Sequence, residues 1–353
     1  MKLGIKIAAV FCTVISSTFM VQQSAGASEN AGVRQITVPS KERGSDLGVT
    51  VWYPAVSGGK AVTLGETVFF VGTDAMLEAP ISRGKYPLIL LSHGAGLGGT
   101  PQAMSWIAAP LAKQGFIVAA PVHPGNGGTN RSAAEMMKLW LRPADISAVL
   151  DAIEEDAFFK DNLEAGKIGA LGLSAGGNTA LALAGARIDP IRLANYCDTD
   201  ALNASLCGWV RQSGVDLHTM DMHLAGRDNR DTRIQFAMAI DPAPVDVFQP
   251  ATFSQVSIPV EIVNLGQPGK IPLTAQASGI AKSIPKGTYS MIEDASHFSM
   301  FAECKAGASK VAESEEIGDP ICSDGGSRSR FEIHEQLIKM VVEAFDRSLK
   351  TSP

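Results

Sequence analysis

Short, near-continuously apolar runs recur through the middle of the chain, at 50–53, 87–92 (PLILLS), 116–121 (FIVAAP), 168–173, 234–240 (IQFAMAI), 260–265 and 288–292. Runs of this kind, without polar alternation, suit strands buried on both faces, as in a parallel sheet. Helix-like stretches lie between and after them, at 101–114, 143–155, 177–186, 273–283 and 331–349. In the last, Ile333, Leu337, Met340, Val341 and Phe345 recur at helical spacing. Strand, helix, strand repeated in this order predicts an open, mostly parallel α/β sheet with helices on both faces. The earlier pair RQITVPS and GVTVWYPA predicts an antiparallel addition that ends one edge. No internal repeat or low-complexity linker interrupts the pattern, so residues 28–353 are expected to form one domain.

The N-terminus reads as a leader. Lys2 and Lys6 precede an apolar run from Ile7 to Val21, followed by Gln22, Gln23 and the small-residue triplet Ala25-Gly26-Ala27. That order is a cleavable signal peptide over residues 1–27. The apolar run falls short of the roughly 20 residues a membrane-spanning helix needs, and bulky Phe11 before Cys12 argues against a lipid anchor. Export to the periplasm or the medium is therefore expected, without a stable membrane anchor. Removing residues 1–27 from the 353-residue chain leaves 326, enough for a large core. The formal charge of −6 and the scattered Lys and Arg make nucleic acid an improbable partner. Four cysteines remain after the leader: Cys197, Cys207, Cys304 and Cys322. Without a C-x-x-C spacing they favour disulfides over metal in an exported chain. Three pairings are possible; the sequence-local one, 197 with 207 and 304 with 322, is favoured.

Residues 167–177 read KIGALGLSAGG, so a strand runs straight into G-x-S-x-G and then into a small-residue helix. A serine on such a strand-to-helix turn adopts strained backbone angles, and glycines two positions either side leave room for the neighbouring backbone. Its hydroxyl projects above the sheet edge, where the helix N-terminus offers N–H groups and positive partial charge. Ser174 is thus a candidate nucleophile. A serine hydroxyl needs a base, and the base an orienting acid. Among His93, His123, His218, His223, His297 and His334, His297 lies on the loop just past the last expected strand and satisfies the order serine, acid, histidine, whereas His218 and His223 sit in a polar connecting segment and His334 falls within the terminal helix. His93 and His123 precede Ser174 and abut turns that suit structural roles. Asp241 ends the strand IQFAMAID and is followed by Pro242, which leaves its carboxylate at the sheet edge. The next strand reaches Asn264 with no carboxylate, Asp294 would fold back on its own loop, and Asp246 lies past Pro244. For the oxyanion, the backbone N–H of Ala175 and one from the loop HGAGLGGT, assigned to Ala95, are expected.

The segments VWYPA, YPLILLSHGAG, RPADISAVLDAI, KIGALGLSAGG, AMAIDPA and DASHF resemble the α/β-hydrolases, and in particular the bacterial dienelactone-hydrolase-like proteins related to platelet-activating-factor acetylhydrolase. The likeness runs from about Val51 to His297. It implies an α/β-hydrolase fold, an acid after the strand that follows the nucleophile helix (Asp241), and a second oxyanion donor after His-Gly (Ala95). Dienelactone hydrolases use a cysteine where this chain has Ser174, so lactone specificity does not carry over. The implied chemistry is two-step acyl transfer on a small-molecule or lipid-like ester, with no metal or organic cofactor. The alternatives are cleavage of an activated carbon–carbon bond of β-diketone type by the same three residues, or a silent binding module. Residues 187–233 match no family role and are expected to form a partial lid. Trp106, Trp140, Trp209 and Phe298 are the candidate apolar walls of the pocket. The oligomeric state is open.

Overall fold

The computed structural model describes residues 28–127 and 131–350; the expected leader, 1–27, lies outside the described residues. Among the described residues ten strands form one sheet: β1 (Asn30–Ser40), β2 (Ser45–Ala55), β3 (Lys60–Leu64), β4 (Thr73–Leu77), β5 (Tyr86–Ser92), β6 (Ile117–Pro121), β7 (Leu163–Leu173), β8 (Phe236–Ile240), β9 (Val260–Leu265) and β10 (Gly287–Ile292). Their spatial order is β10-β9-β8-β7-β5-β6-β2-β1-β4-β3. From β6 to β10 every neighbouring pair is parallel, while β2 joins both β6 and β1 antiparallel.

The apolar runs have no polar alternation because consecutive side chains feed two separate cores. Leu88 and Leu90 of β5 and Ile117 and Ala119 of β6 enter one core; Ile89 and Leu91, with Val118 and Ala120, enter the other. The helices are α1 (Ser105–Lys113), α2 (Ala133–Met137), α3 (Arg142–Glu155), α4 (Ala175–Ala184), α5 (Pro190–Ala194), α6 (Ala204–Gln212), α7 (Ser278–Ser283), α8 (Ala308–Ser314) and α9 (Arg330–Phe345). The first core is closed by Ile146, Val149 and Leu150 of α3 and by the alanines and leucines of α4. The second is closed by Ile107 and Leu111 of α1 and by Ile333, Leu337, Val341 and Phe345 of α9. Helices therefore cover both faces, as the periodicity predicts.

Two expectations need correction. The antiparallel pair β1–β2 is not the edge, because β4 pairs with β1 through Gly32 and Val33 and β3 then closes the sheet. Both added strands are five residues long and largely unburied, so they carry little hydrophobic pattern. The stretch 273–283 is also no single helix. A 3-10 turn at Leu273–Ala275 and α7 are separated at Gln276 and Ala277, where the Ala275 carbonyl and the Ala277 N–H are both engaged by the side chain of Asn264. The two disulfides, Cys197–Cys207 and Cys304–Cys322, follow the favoured pairing. Among the described residues no helix is long and apolar enough to cross a membrane, and no cluster of three His, Cys, Asp or Glu is placed to hold a metal.

Candidate active site

Ser174 sits between β7 and α4 with φ 53° and ψ −119°. A non-glycine residue holds such angles only where its surroundings over-determine them. A Cβ on Gly172 would stand 1.9 Å from the Gly176 carbonyl oxygen, and one on Gly176 would stand 1.7 Å from that of Ser92. Both clashes are with backbone, so the two glycines are what allow strand, turn and helix to close around the serine. The hydroxyl lies 3.2 Å from His297 Nε2, and His297 Nδ1 lies 2.6 Å from Asp241 Oδ2. The structure thus brings together the three residues singled out in the sequence, 123 and 56 positions apart.

Asp241 is fully buried, also at positive φ (43°), and its second oxygen accepts from Asn264 Nδ2 (2.6 Å) and the Leu265 N–H (2.9 Å). Asn264 in turn accepts from the Ala277 N–H and the Tyr289 hydroxyl. In the sequence this asparagine only marks a missing carboxylate. In the fold it aims the carboxylate that is present, and the interrupted helix at 276–277 is the means of holding it. His297 opens a short 3-10 turn to Met300 after β10, with Ser296 and Ser299 capping each other across it. The back of that turn is held by Trp106, whose indole N–H donates to the Met300 carbonyl (3.0 Å), and by His334 Nε2, 2.8 Å from the Ser299 carbonyl oxygen. Burial lowers the His334 pKa to about 4, which keeps the imidazole neutral where it stacks on Trp106 at 3.7 Å.

Trp106 is therefore no pocket wall: its ring is buried in the second core behind the histidine turn. Trp140 is likewise 3 % exposed, packed inward with Met137 and Ile146 in the first core. Trp209 and Phe298 do line the cavity above Ser174, about 460 Å³ in volume, together with Met136, Leu139 and Leu206. Leu206 and Trp209 belong to α6, within 187–233, and the Cys197–Cys207 bridge ties that helix to the preceding turn.

Ala95 and Ala175 also face this cavity, and among the described residues neither backbone N–H donates to a protein acceptor. A Cβ on Gly94 would lie 3.5 Å from that of Ser174, so the loop after β5 passes beside this serine. That loop rests on a buried polar network that sequence reasoning missed. Arg142, 1 % exposed, donates to Asn126 Oδ1 (2.6 Å), Thr179 Oγ1 (3.0 Å), Ser92 Oγ (3.3 Å) and the His93 carbonyl. His123 Nε2 lies 3.0 Å from Ser92 Oγ, and its Nδ1 lies 2.8 Å from Asp145 Oδ2, which Arg43 also grips. Burial and the nearby Arg142 push His123 and His93 well below the usual histidine range, so both are neutral. The signal in the sequence was the arginine and aspartate of RPADI, three apart on α3, but their partners come from β5, the loop after β6 and the β1–β2 turn.

A mostly parallel sheet, a serine on a glycine-flanked strand-to-helix elbow, and an acid and a histidine delivered after later strands define the α/β-hydrolase fold. Residues 25–138 match the family model described as platelet-activating factor acetylhydrolase, isoform II. That match spans β1 to α2 and the loop carrying Ala95, and ends before Ser174. Among solved structures, a ferulic acid esterase from Streptomyces cinnamoneus is similar at a TM-score of 0.59 and 17 % identity, over 94 % of this chain and 95 % of that one. A dienelactone hydrolase from Anabaena variabilis ATCC 29413 aligns at a TM-score of 0.47 and 12 % identity, over 91 % of this chain and 100 % of that one. No curated protein matches the chain in sequence.

Proposed function

We propose that the chain is an exported serine hydrolase that cleaves carboxylic esters through an acyl-serine intermediate. The observation that carries this reading is the hydrogen-bonded series Ser174 Oγ, His297, Asp241 at a strained elbow beneath a largely apolar cavity. His297 Nε2 takes the hydroxyl proton as Ser174 attacks the ester carbonyl. Asp241 holds Nδ1 protonated and steadies the imidazolium. The N–H groups of Ala95 and Ala175 receive the oxyanion, aided by the N-terminus of α4. His297 then returns the proton to the leaving alcohol, and water clears the acyl-enzyme by the same steps. Residues 187–233 act as a partial lid through Leu206 and Trp209 within a single domain, and the substrate is a small-molecule or lipid-like ester. Two disulfides fit folding in an oxidising compartment, which with the leader supports a secreted or periplasmic location.

The test is covalent labelling by a fluorophosphonate probe together with release from a p-nitrophenyl ester series. Labelling of the native protein and its loss in Ser174→Ala, with kcat down on the order of 10⁵-fold or more, is the expected result. A native protein that neither labels nor releases p-nitrophenol overturns the reading. A β-diketone offered in the same assay separates ester cleavage from carbon–carbon cleavage.

A further inference from the structure

The cavity over Ser174 has a neighbour. A second chamber of about 360 Å³ lies beyond the loop after β5, and the two share Gly96, Arg131 and Phe301 as common walls. Gly96 adjoins the oxyanion-loop residue Ala95. Phe301 closes the turn that begins at His297, so that turn forms one side of the wall the two chambers share. The histidine returns its proton to the leaving oxygen, which places the alcohol arm of an ester on that side.

The polar groups of the second chamber are unlike those of the first. Among the described residues its lining contains no Asp or Glu, whereas Asp319 lines the first. Thr67 Oγ1 accepts from the Phe69 and Phe70 N–H groups (3.1 and 3.0 Å), and Thr100 Oγ1 accepts from the Ala103 N–H (3.2 Å). With those oxygens engaged as acceptors, each hydroxyl hydrogen is left to donate, and among the described residues neither donates to the protein. Arg131 at the doorway stacks its guanidinium over Trp209, 4.9 Å from the ring centroid, and pairs with no carboxylate among the described residues. Residues 128–130, just before it, are Gly-Thr-Asn and hold none in their sequence. The chamber therefore offers one cation and two hydroxyl donors, set among apolar groups such as Phe70 and Leu97.

Resting on the esterase reading, we infer that the second chamber receives the alcohol arm of the substrate and selects an arm bearing a carboxylate, which Arg131 binds at the doorway. Neutral arms of the same shape leave the guanidinium unpaired and lose that contact.

Three esters test this: 4-carboxybenzyl acetate, its neutral isostere 4-isopropylbenzyl acetate, and monobenzyl glutarate, which carries the carboxylate on the acyl arm. The expected result is a kcat/KM for 4-carboxybenzyl acetate about tenfold above that for the isopropyl ester, shrinking as salt is raised. In Arg131→Gln the ratio falls to about one, and Arg131→Lys retains part of it. A native ratio at or below one, a ratio that Arg131→Gln leaves unchanged, or a preference for monobenzyl glutarate over 4-carboxybenzyl acetate overturns the assignment while the esterase reading stands. Hydrolysis of none of the three, with no fluorophosphonate labelling, overturns both.

Discussion

Arg142→Met removes one buried cation and leaves Asn126 Oδ1, Thr179 Oγ1, Ser92 Oγ and the His93 carbonyl without their donor. Two effects oppose each other. Burial pulls the arginine well below its ordinary value, to about 9, so it is still charged at neutral pH. A net displacement of that size, burial opposed by Asp145 and reinforced by Arg43, corresponds to about 5 kcal/mol by which the site disfavours the charged guanidinium, a cost methionine would not suffer. Against it stand four hydrogen bonds from a charged donor, about 1.5–3 kcal/mol each. The acceptors, unlike the arginine, remain buried in the variant, so the loss outweighs the relief. The expected net destabilisation is about 3–5 kcal/mol, the range found when one member of a buried charged set is deleted. Urea unfolding followed by tryptophan fluorescence reads it as a midpoint lowered by roughly 1 M or more at unchanged slope. Because Arg142 holds the loop that carries Ala95, kcat toward a p-nitrophenyl ester should fall as well, by about 10²-fold if that N–H is misplaced. A midpoint equal to or above that of the native protein would refute the reasoning, for then the solvation cost of the guanidinium exceeds everything its contacts return.

Acid should destabilise the fold early: His93 and His123 sit well below 6.5 and His334 at about 4, so below pH 6.5 the unfolded chain binds protons that the folded one refuses. Stability then drops by up to about 1.4 kcal/mol per pH unit per histidine, offset at the low end by Asp145, whose raised pKa favours the folded state there; a Tm that is flat between pH 7 and 5 contradicts this, and His334→Gln should flatten the slope by one histidine's share. Gly176→Ala places a Cβ 1.7 Å from the Ser92 carbonyl and should cost more than about 3 kcal/mol, whereas Gly208→Ala in α6, with nothing within 4 Å, should stabilise by about 0.5–1 kcal/mol; thermal unfolding of the pair decides. Replacing Cys197 and Cys207 together by alanine opens a loop of sequence separation 10 and should lower stability by about 2–3 kcal/mol, with KM for bulky esters rising because α6 carries Leu206 and Trp209.

Ser174, His297 and Asp241 were readable because each is punctuated locally. Glycines flank the serine, Pro242 stops the strand after Asp241, and the histidine follows the last apolar run. The parallel strands β5 to β10 were readable for a related reason, since strands buried on both faces leave unbroken apolar runs, but their spatial order was not. What could not be read is whatever depends on which way a side chain turns. Trp106 and Trp140 are aromatic residues near the site in sequence, yet both turn into the cores. β3 and β4 are short edge strands with little burial, so no periodicity announces them. Arg43 reaches Asp145 across 102 positions, a contact that no local pattern encodes.

Among the described residues there are two Ser–His–Asp series of nearly the same dimensions, and the proposed reading gives chemistry to only one. Ser92, His123 and Asp145 are linked at 3.0 and 2.8 Å, against 3.2 and 2.6 Å for Ser174, His297 and Asp241. Distances alone favour neither. The first set is at most 1 % exposed, and its serine oxygen also receives Arg142, so attack by that oxygen would have to break a charge-assisted contact. Burial first, and then the same guanidinium with Arg43 on Asp145, oppose any imidazolium at His123 and push its pKa down. At Ser174 the elbow lifts the hydroxyl into a cavity, two N–H groups beside it have no protein acceptor among the described residues, and the histidine keeps 22 % of its side chain exposed. Each side chain of the buried series has a protein partner at every polar atom, whereas beside Ser174 the Ala95 and Ala175 N–H groups have no protein acceptor among the described residues and, on the proposed reading, receive the oxyanion. Labelling separates the two directly: a fluorophosphonate should modify Ser174 alone, and an adduct mapped to Ser92 would mean that access, rather than geometry, has been misjudged here.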